Sequence, residues 1–469
     1  MSRAFHSPKA FIKGVAPQAA DAVTGQAEKL AAPAKKTRFG YFFKQKPGDR
    51  LVESEKTVLD LIELGKSMQE PPEGGKDSPI PSIYTYFGQF IAHDLTFDAL
   101  GQHIPLTQDI EPMEVELVES LCNHRTGKLD LDCVYGPDSG AGSINLPRND
   151  GDRKDEFKLG FAISPTHSVP DADLPRLDRL PHTALIGDPR NDDNLVISQL
   201  HLVFLKAHNR LVRSDLKFDD AKALLKRRYQ NLVIKDFLPR LVHKDDLKAA
   251  DDKRKLYLPA KDDLFIPIEF TAAAFRFGHS MIRSSYEFNK QRVSVPLRQL
   301  FMRSTLGTYY QLLTDWVIDW KNFVEGGSNK ARTLSPQLVE PLGMLSLKQS
   351  LRFNLAVHDL LRGYLLGLPT GQALARALDI TPLTEAEVLM SAVNLKQHEI
   401  LKTSGFAATT PLWFYMLAEA QHKRDGMFLG PVCGQLIALV LKELARQSNY
   451  GDDKPAKDTL TEFVMNTIS

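Results

Sequence analysis

Apolar residues recur three and four positions apart through much of the chain, and this spacing most restricts how the chain can fold. Four long segments show it: 198–216, 269–282, 306–323 and 430–447. Alternation of apolar and polar residues, which is typical of half-buried strands, is scarce. The sequence therefore predicts a mainly α-helical fold with few short strands.

The composition excludes several classes of partner. Lys plus Arg number 59 and Asp plus Glu number 58, so we expect neither nucleic acid nor an anionic membrane surface as the main partner. The first residues lack a secretory apolar core, and no apolar run reaches the length of about 18 residues that indicates a membrane span. Three cysteines in no metal-binding spacing suggest reduced thiols. A cytoplasmic protein without a membrane span is the expectation, and the oligomeric state is left open.

The ends of the chain differ in character from its middle. Residues 16–36 are rich in Ala, Lys, Gln and Pro and offer little to a core, which is typical of an extended arm. We predict an N-terminal arm over 1–55, one large domain over 56–446 and a C-terminal tail over 447–469.

Polar residues interrupt two strongly apolar helical segments. In "YTYFGQFIAHDLTFD", Gln89 and His93 lie four residues apart and share one helix face, and Asp94 follows. In "FRFGHSMIRSSY", His279 follows Gly278, which would let a bulky group approach closely. Such residues can be hydrogen-bonded members of the core or ligands of a cofactor, and spacing alone does not choose between them.

Two further polar groups stand out. Arg190 precedes an apolar helix in "LIGDPRNDDNLVISQLH" and has several aspartates around it. In "RTGKLDLDCVYG", Thr126, Asp130 and Asp132 occupy every second position, with Lys128 between them. An extended loop could point these oxygens at one hard cation such as calcium, although a solvated acidic turn would have the same composition.

Several of these segments resemble the animal haem peroxidases of the peroxidase–cyclooxygenase superfamily. The resemblance is carried, in the family's order from about residue 80 to 445, by "FGQFIAHDLTFD", "LDLDCVYG", "IGDPRNDDNLVISQLHLVFLKAHNRLV", "AAFRFGHSMIR", "LLRGYLLGLPTGQALARAL", "TPLWFYMLAEA" and "LGPVCGQLIALVL". The short "LRG...GLP.GQA.AR" element is similar to the bacterial branch. The resemblance implies a single large, mainly α haem peroxidase domain of the animal type.

The resemblance assigns roles to four of the polar residues. Gln89 and His93 match the glutamine and histidine on the distal side of the haem, Arg190 matches the distal arginine, and His279 matches the proximal iron ligand. The chemistry suits the residue types, because a neutral imidazole can take a proton from hydrogen peroxide and return it to the departing oxygen. A permanently charged guanidinium can stabilise the charge that develops as the O–O bond breaks.

On the proximal side the chain departs from the family in one residue. The asparagine that commonly accepts the proximal histidine's second ring proton is replaced by Asp359. A carboxylate should make His279 more electron-rich, which assists peroxide cleavage and lowers the oxidising power of the product. Arg362 and Arg276 match arginines near the haem propionates, although an ordinary structural ion pair is an equal alternative.

The acidic loop aligns with the family's calcium loop. The resemblance implies that Asp94 is the ligand from the distal helix, with Thr126, Asp130 and Asp132 contributing side-chain oxygens and Lys128 a backbone carbonyl. A calcium ion is therefore expected there.

Three positions next to these residues argue for noncovalent haem b. Ala92 stands where mammalian peroxidases carry an acid esterified to the haem, so that ester cannot form. Asp193 aligns with the second such acid and is one methylene shorter than the usual glutamate. Asn194 aligns with the methionine that forms a sulfonium link. Fewer links imply a less oxidising haem, which disfavours chloride as a substrate.

The sequence thus predicts a haem peroxidase that reduces hydrogen peroxide and oxidises a small organic or (pseudo)halide donor. A fatty-acid oxygenase of the same superfamily is one alternative, but the tyrosine that it needs three residues before the proximal histidine is Arg276 here. A haem-binding sensor without turnover is the other. The joint retention of Gln89, His93 and Arg190 argues against it, since haem binding alone needs only His279.

Overall fold

The structure, a computed structural model, describes residues 37–71, 75–97, 110–136, 146–178, 182–260, 263–303, 311–347, 351–449 and 458–469. Its α-helices are α1 (Glu55–Ser67), α2 (Ile83–Leu95), α3 (Val115–Glu119), α4 (Asp132–Tyr135), α5 (Leu195–Val212), α6 (Phe218–Asn231), α7 (Leu238–Leu241), α8 (Lys244–Asp252), α9 (Ile268–Ala272), α10 (Leu297–Met302), α11 (Leu355–Leu365), α12 (Gly371–Ala377), α13 (Glu385–Met390), α14 (Leu395–Thr403), α15 (Leu412–Arg424), α16 (Pro431–Gln447) and α17 (Leu460–Ile468). A π-helical stretch, Leu232–Phe237, joins α6 to α7.

The strands are short and are spread over small sheets. They are β1 (Thr37–Gly40), β2 (Asp77–Pro81), β3 (Cys122–Asn123), β4 (Gly160–Ile163), β5 (Ser168–Asp173), β6 (Phe265–Pro267), β7 (Ser285–Tyr286), β8 (Val295–Pro296), β9 (Lys330–Arg332), β10 (Leu345–Leu347) and β11 (Leu351–Phe353). In the three-stranded sheet β1 pairs antiparallel with β3 and parallel with β6, and the other sheets are two-stranded. The prediction of a mainly α fold with few short strands is confirmed.

Several helices near the site have a side-chain cap at their first turn. Asn194 accepts a hydrogen bond from the Ile197 amide at the start of α5, and Asn354 accepts one from the Val357 amide at the start of α11. Such caps satisfy amides that the helix itself leaves unbonded. They fix where each helix begins, and so they fix the direction of the residues just before it.

The core beside α2 is aromatic. Phe87 and Phe90 lie on α2, and the Phe90 ring stacks on that of Phe204 of α5 at a centroid distance of 4.4 Å. Tyr229 of α6 meets Phe87 and Phe90 edge-on. Because packed aromatic rings permit few alternative arrangements, this cluster holds α2 rigidly against α5.

The helix predicted over 306–323 is wrong for the part that the structure describes. Residues 311–323 form two 3₁₀ turns, Thr314–Trp316 and Trp320–Asn322, within irregular chain. The carbonyls that a helix would use are bonded elsewhere, since Asn289 Nδ2 donates to those of Asp315 and Val317. Tertiary hydrogen bonds have replaced the helical ones.

The segment 269–282 is helical but not a single α-helix. It divides at Ala273 into α9 and a 3₁₀ helix, Ala274–Met281. Two of its carbonyls are used by other helices: the Cys433 thiol donates to Ala274 and the Trp413 indole to Arg276. The predicted helices at 198–216 and 430–447 correspond to α5 and α16.

Both ends of the described chain contact the body. β1, which lies within the predicted arm, is the central strand of its sheet, and α17 packs against α5. The predicted domain boundaries themselves stay predictions. Within the described ranges, no helix is long and apolar enough to cross a membrane.

The contact between α1 and α11 gives a stability prediction. A Cβ on Gly65 would lie 2.7 Å from the backbone Cα of Val357, so Gly65→Ala should separate the two helices and cost about 1–3 kcal/mol. Gly88→Ala in α2 is the control, because its Cβ would lie 3.4 Å from Phe237, an ordinary contact. We expect a lower urea midpoint for Gly65→Ala alone, and equal midpoints would contradict the prediction.

Candidate active site

His93 lies near the end of α2 and is buried. Its Nδ1 is 2.7 Å from Oδ1 of Asn191. Burial and the nearby Arg190 cation lower the pKa of His93 to about 3, so the imidazole is neutral at physiological pH. With the Asn191 oxygen as acceptor, Nδ1 would carry the ring proton and Nε2 would be the basic nitrogen.

Arg190 is held in place by contacts on two sides of its guanidinium. Its Nε and Nη2 donate to the Asp188 carboxylate at 3.0 and 2.7 Å, and Nη2 also donates to the backbone carbonyls of His93 and Thr96. Its guanidinium lies over the Phe97 ring at 4.6 Å. The predicted distal arginine is therefore tied directly to the C-terminal end of α2.

Asp188 is shared by two arginines. Arg125 forms a second, buried ion pair with it and also donates through Nε to the His93 carbonyl. Although burial raises the pKa of a carboxyl group, the Arg190 and Arg125 cations outweigh it and hold the pKa of Asp188 well below its usual value. We call Arg125, Asp188 and Arg190 the distal clamp.

Gln89 is one turn before His93 on α2 and is partly buried. Its Oε1 accepts a hydrogen bond of 3.2 Å from Nδ2 of Asn194, whose own Oδ1 caps α5. Asn194 therefore orients the Gln89 amide. Asp193, the other predicted haem neighbour, is partly buried at the end of the 3₁₀ turn Pro189–Asp192.

The proximal residues converge on Asp359, which lies on α11 and is completely buried. His279 Nδ1 is 2.5 Å from one carboxylate oxygen, and Arg276 Nη1 donates to the other at 2.7 Å. Burial opposes ionisation of Asp359, but the two partners prevail and lower its pKa to about 2. Arg276 is thus the partner of a carboxylate, which was the alternative to a propionate contact. Arg362 is buried one turn further along α11.

The residues fit a haem with His279 as its ligand. Nδ1 of His279 is taken by Asp359, so Nε2 is the nitrogen available to iron. Among the described residues, no atom outside the immediate chain neighbours lies within 4 Å of the position that a Cβ on Gly278 would occupy, so there is open space beside His279. The 3₁₀ helix that carries His279 packs against α2, which carries His93.

The predicted calcium residues form one connected loop beneath α2. Asp94 accepts hydrogen bonds from the amides of Leu131 and Cys133, and Asp132 accepts one from the Thr126 amide. Thr126 Oγ1 donates to Asp130 at 3.0 Å and accepts from the Lys128 amide.

The acidic side chains of this loop repel one another. Burial and the neighbouring Asp132 raise the pKa of Asp94 to about 7, and burial with Asp132 and Asp94 raises that of Asp130. Across the residues described, however, no three acidic, histidine or cysteine side chains are arranged as a metal site. Any cation here would need the Thr126 hydroxyl and backbone oxygens as well.

Sequence reasoning missed the residues that orient the site. Asn191, Arg125 and His201 act on the distal side, and the Trp413 ring lies 6.4 Å from the His279 ring on the proximal side. The run "GDPRND" contains a signal for a further orienting residue, Asp188. An aspartate before Pro189 is a common cap, and Asp188 does accept from the Arg190 amide.

The distal clamp gives a second stability prediction. Asp188→Asn removes the charge that compensates two guanidinium groups and should cost about 3–5 kcal/mol near neutral pH. Asp60→Asn is the control, because the Lys56–Asp60 pair is solvent-exposed and should contribute less than about 1 kcal/mol.

The same comparison has a defined pH dependence. The pKa of Asp188 is lower in the folded state than in the unfolded state. Its contribution to the free energy of unfolding is therefore complete above the unfolded-state pKa of about 3.9 and is lost as the pH falls through the folded-state pKa. The difference in free energy of unfolding between wild type and Asp188→Asn should therefore become smaller below about pH 4. A small difference in free energy of unfolding at neutral pH would contradict the stabilising role of the distal clamp.

The chain is similar to known peroxidases over much of its length. The sequence profile described as animal haem peroxidase matches residues 107–453, so α2 lies before the matched region. Thyroid peroxidase of Mus musculus is 24% identical over 356 residues, covering 69% of this chain and 38% of the relative. Eosinophil peroxidase of Homo sapiens is 23% identical over 301 residues, covering 57% and 39%. The chain spans less than half the length of these curated relatives.

Solved structures share the fold at low identity. Peroxidase A from Dictyostelium discoideum superposes with a TM-score of 0.64 at 14% identity, covering 92% of this chain and 93% of that one. A fatty acid alpha-dioxygenase from Oryza sativa superposes with a TM-score of 0.60 at 15% identity, covering 88% and 76%. Since the family profile matches well over half of its residues, this chain belongs to the animal haem peroxidase family.

Proposed function

We propose that this protein is a haem peroxidase that reduces hydrogen peroxide and oxidises a small organic or (pseudo)halide donor. The observation that supports it most is the distal pair: a buried, neutral His93 with one nitrogen left basic, beside a fixed Arg190. Binding haem alone requires neither of them. The pair therefore favours turnover over a sensor function.

When bound through His279 Nε2, the haem iron would supply the electrons that cleave the peroxide O–O bond. His93 Nε2 takes the proton from one peroxide oxygen and returns it to the other as that oxygen leaves as water. The imidazole can do this at physiological pH because its lowered pKa keeps it unprotonated. Asn191 holds the ring in place throughout.

Arg190 stabilises the negative charge on the separating oxygens. Its contacts within the described residues use Nε and Nη2, so Nη1 is the edge that can donate to peroxide. Because the guanidinium is already held by Asp188 and two carbonyls, little reorganisation is needed during the reaction. Gln89, which lies on the same helix as His93, adds a side-chain amide to the distal side.

Asp359 sets the chemical character of the proximal ligand. A carboxylate partner withdraws the Nδ1 proton more strongly than a neutral amide would, so His279 donates more electron density through Nε2. This favours peroxide cleavage and makes the site a weaker oxidant. Readily oxidised donors such as phenols, iodide or thiocyanate suit it better than chloride.

The dioxygenase neighbours make a fatty-acid oxygenase the second candidate. Its catalytic tyrosine would stand at Arg276, between Phe275 and Phe277. Arg276 is instead paired with Asp359 and donates through Nε to the Thr271 carbonyl. A guanidinium cannot form the radical that such an oxygenase needs, so the peroxidase remains the proposal.

Three substitutions test the assignment. His279→Ala should lose haem or bind it wrongly, whereas His93→Ala should keep haem but react slowly with peroxide. Arg190→Ala should slow the same reaction by roughly two to three orders of magnitude, as expected for loss of a charge-stabilising donor. The measurement is the peroxide-dependent change of the haem absorption band in stopped flow. His208→Ala, at another buried histidine on α5, is the control.

A normal rate of reaction with peroxide in His93→Ala would contradict this assignment. Haem content is measured for every variant, so slow reaction through lost cofactor is separated from slow chemistry. Equal losses in His93→Ala and His208→Ala would show only general damage to the core.

We also propose that the loop beneath α2 holds calcium. The oxygens of Asp94, Thr126, Asp130 and Asp132, with the Lys128 carbonyl, would surround it. A divalent cation would relieve the repulsion that raises the pKa values of Asp94 and Asp130. Since Asp94 directly follows His93, the ion would stabilise the end of α2.

Removing one calcium ligand should change the surroundings of the haem. Asp130→Ala is expected to lower bound calcium and to shift the haem spectrum, although residue 130 does not itself contact His93. Elemental analysis of the purified protein measures the ion directly. Intact activity in wild type that contains no calcium would mean that the loop is merely acidic.

The haem is proposed to be noncovalent haem b. Ala92 offers no carboxyl group, and Asp193 has a side chain one methylene shorter than the glutamate it replaces. Acidified organic solvent should therefore extract the haem, even after turnover with peroxide. Ala92→Asp should make it partly resistant to extraction. A haem-linked peptide containing Asp193 in the wild type would refute the proposal.

A further inference from the structure

Asn191 lies between two buried histidines. It is itself fully buried, in the 3₁₀ turn that also carries Arg190. Its Oδ1 is 2.7 Å from Nδ1 of His93, and its Nδ2 is 2.9 Å from Nδ1 of His201 on α5. Both ends of the amide are therefore engaged.

A carboxamide has a donor end and an acceptor end, so its orientation decides what each neighbour must be. With the oxygen towards His93, Nδ1 of His93 carries a proton and Nε2 is bare. With the amide reversed, its NH₂ group would donate to His93 Nδ1 and the His93 proton would move to Nε2. Only the first arrangement leaves His93 able to accept a proton from peroxide.

His201 engages the other end of the amide. In the orientation present, Asn191 Nδ2 donates to His201 Nδ1, which must then be bare. His201 is completely buried, and its Nε2 has no hydrogen-bond partner among the described residues. Without His201 as acceptor, the NH₂ group of Asn191 would lose this hydrogen bond, which favours the reversed amide that donates to His93.

We propose that Asn191 is a positioning residue that fixes the proton of His93 on Nδ1, and that His201 fixes the orientation of Asn191. The inference deepens the proposed function and rests on it. The tautomers of the two histidines are linked through one amide, so His201 controls a base that it does not touch.

Substitutions separate this role from simple packing. Asn191→Asp keeps an acceptor towards His93 and should preserve the basic Nε2. Asn191→Leu has a similar size but no hydrogen bond, and His201→Phe removes the group that holds the amide. His208→Phe is the matched control: it removes another buried imidazole from α5, one that contacts Tyr135 rather than the distal pair.

The readout besides activity is the vibrational spectrum of carbon monoxide bound to the ferrous full-length protein. An N–H group facing the ligand lowers the C–O stretching frequency, so the position of the His93 proton is reported without peroxide. Asn191→Leu and His201→Phe should show an added band at lower frequency. Asn191→Asp and His208→Phe should keep the wild-type band.

The rates of reaction with peroxide should separate the variants into the same two groups as the carbon monoxide bands. We expect a loss of about tenfold or more in Asn191→Leu and His201→Phe, up to the factor of about 10²–10⁴ that a general base contributes. The loss in Asn191→Asp should be smaller than in Asn191→Leu, and the rate of His208→Phe should be near normal. A wild-type band and rate in Asn191→Leu would overturn the proposal, as would equal losses in Asn191→Asp and Asn191→Leu.

Two further results keep the test decisive. If Asn191→Leu does not fold, the comparison of His201→Phe with His208→Phe decides, and equal spectra in those two would overturn the proposal. If the wild type does not react with peroxide, the proposed function fails. The carbon monoxide bands would still support or overturn the role of Asn191.

Discussion

The buried carboxylate of Asp188 is the interaction on which the distal side depends. It accepts from two arginines that come from different parts of the chain, and each of them also bonds the His93 carbonyl. A single anion therefore holds the end of α2, the turn that carries Asn191, and the strand that leads into the acidic loop. An unpaired cation at either position would be costly in this buried setting.

The proximal side is built on the same principle with a different result. Asp359 is a buried carboxylate shared by a cation, Arg276, and by an imidazole, His279. On the distal side the carboxylate acts on arginine and leaves the histidine neutral. On the proximal side it acts on the histidine itself and increases electron donation through Nε2. In the proposed function, the two aspartates would give the two histidines opposite tasks, one as a base and one as an electron-rich ligand.

The sequence predicted the mainly α class, because α5 and α16 have strong helical periodicity that tertiary contacts only reinforce. It could not predict the irregular path of 311–323, since Asn289 and other distant donors bind the carbonyls there. The pairing of His279 with Asp359 was anticipated from the family resemblance, and the structure places them in contact. The assignments of catalytic and metal-binding roles remain predictions.

The partners of the predicted residues were beyond the sequence. Asn191 is 98 positions from His93, and Arg125 is 63 positions from Asp188, so no local pattern connects them. The ion pair between Arg276 and Asp359 shows the same limit, because 83 positions separate the two residues. Buried hydrogen-bonding groups are satisfied by whatever the fold brings close, and that depends on tertiary packing.

The central claim is that the site carries out peroxidase chemistry rather than fatty-acid oxygenation. The most direct measurement compares oxygen uptake with a fatty acid and trace peroxide against peroxide consumption with a phenol, in the same haem-loaded preparation. The account predicts peroxide consumption coupled to phenol oxidation, with little oxygen uptake in the presence of the fatty acid. Sustained oxygen uptake with the fatty acid, and no oxidation of the phenol, would contradict it.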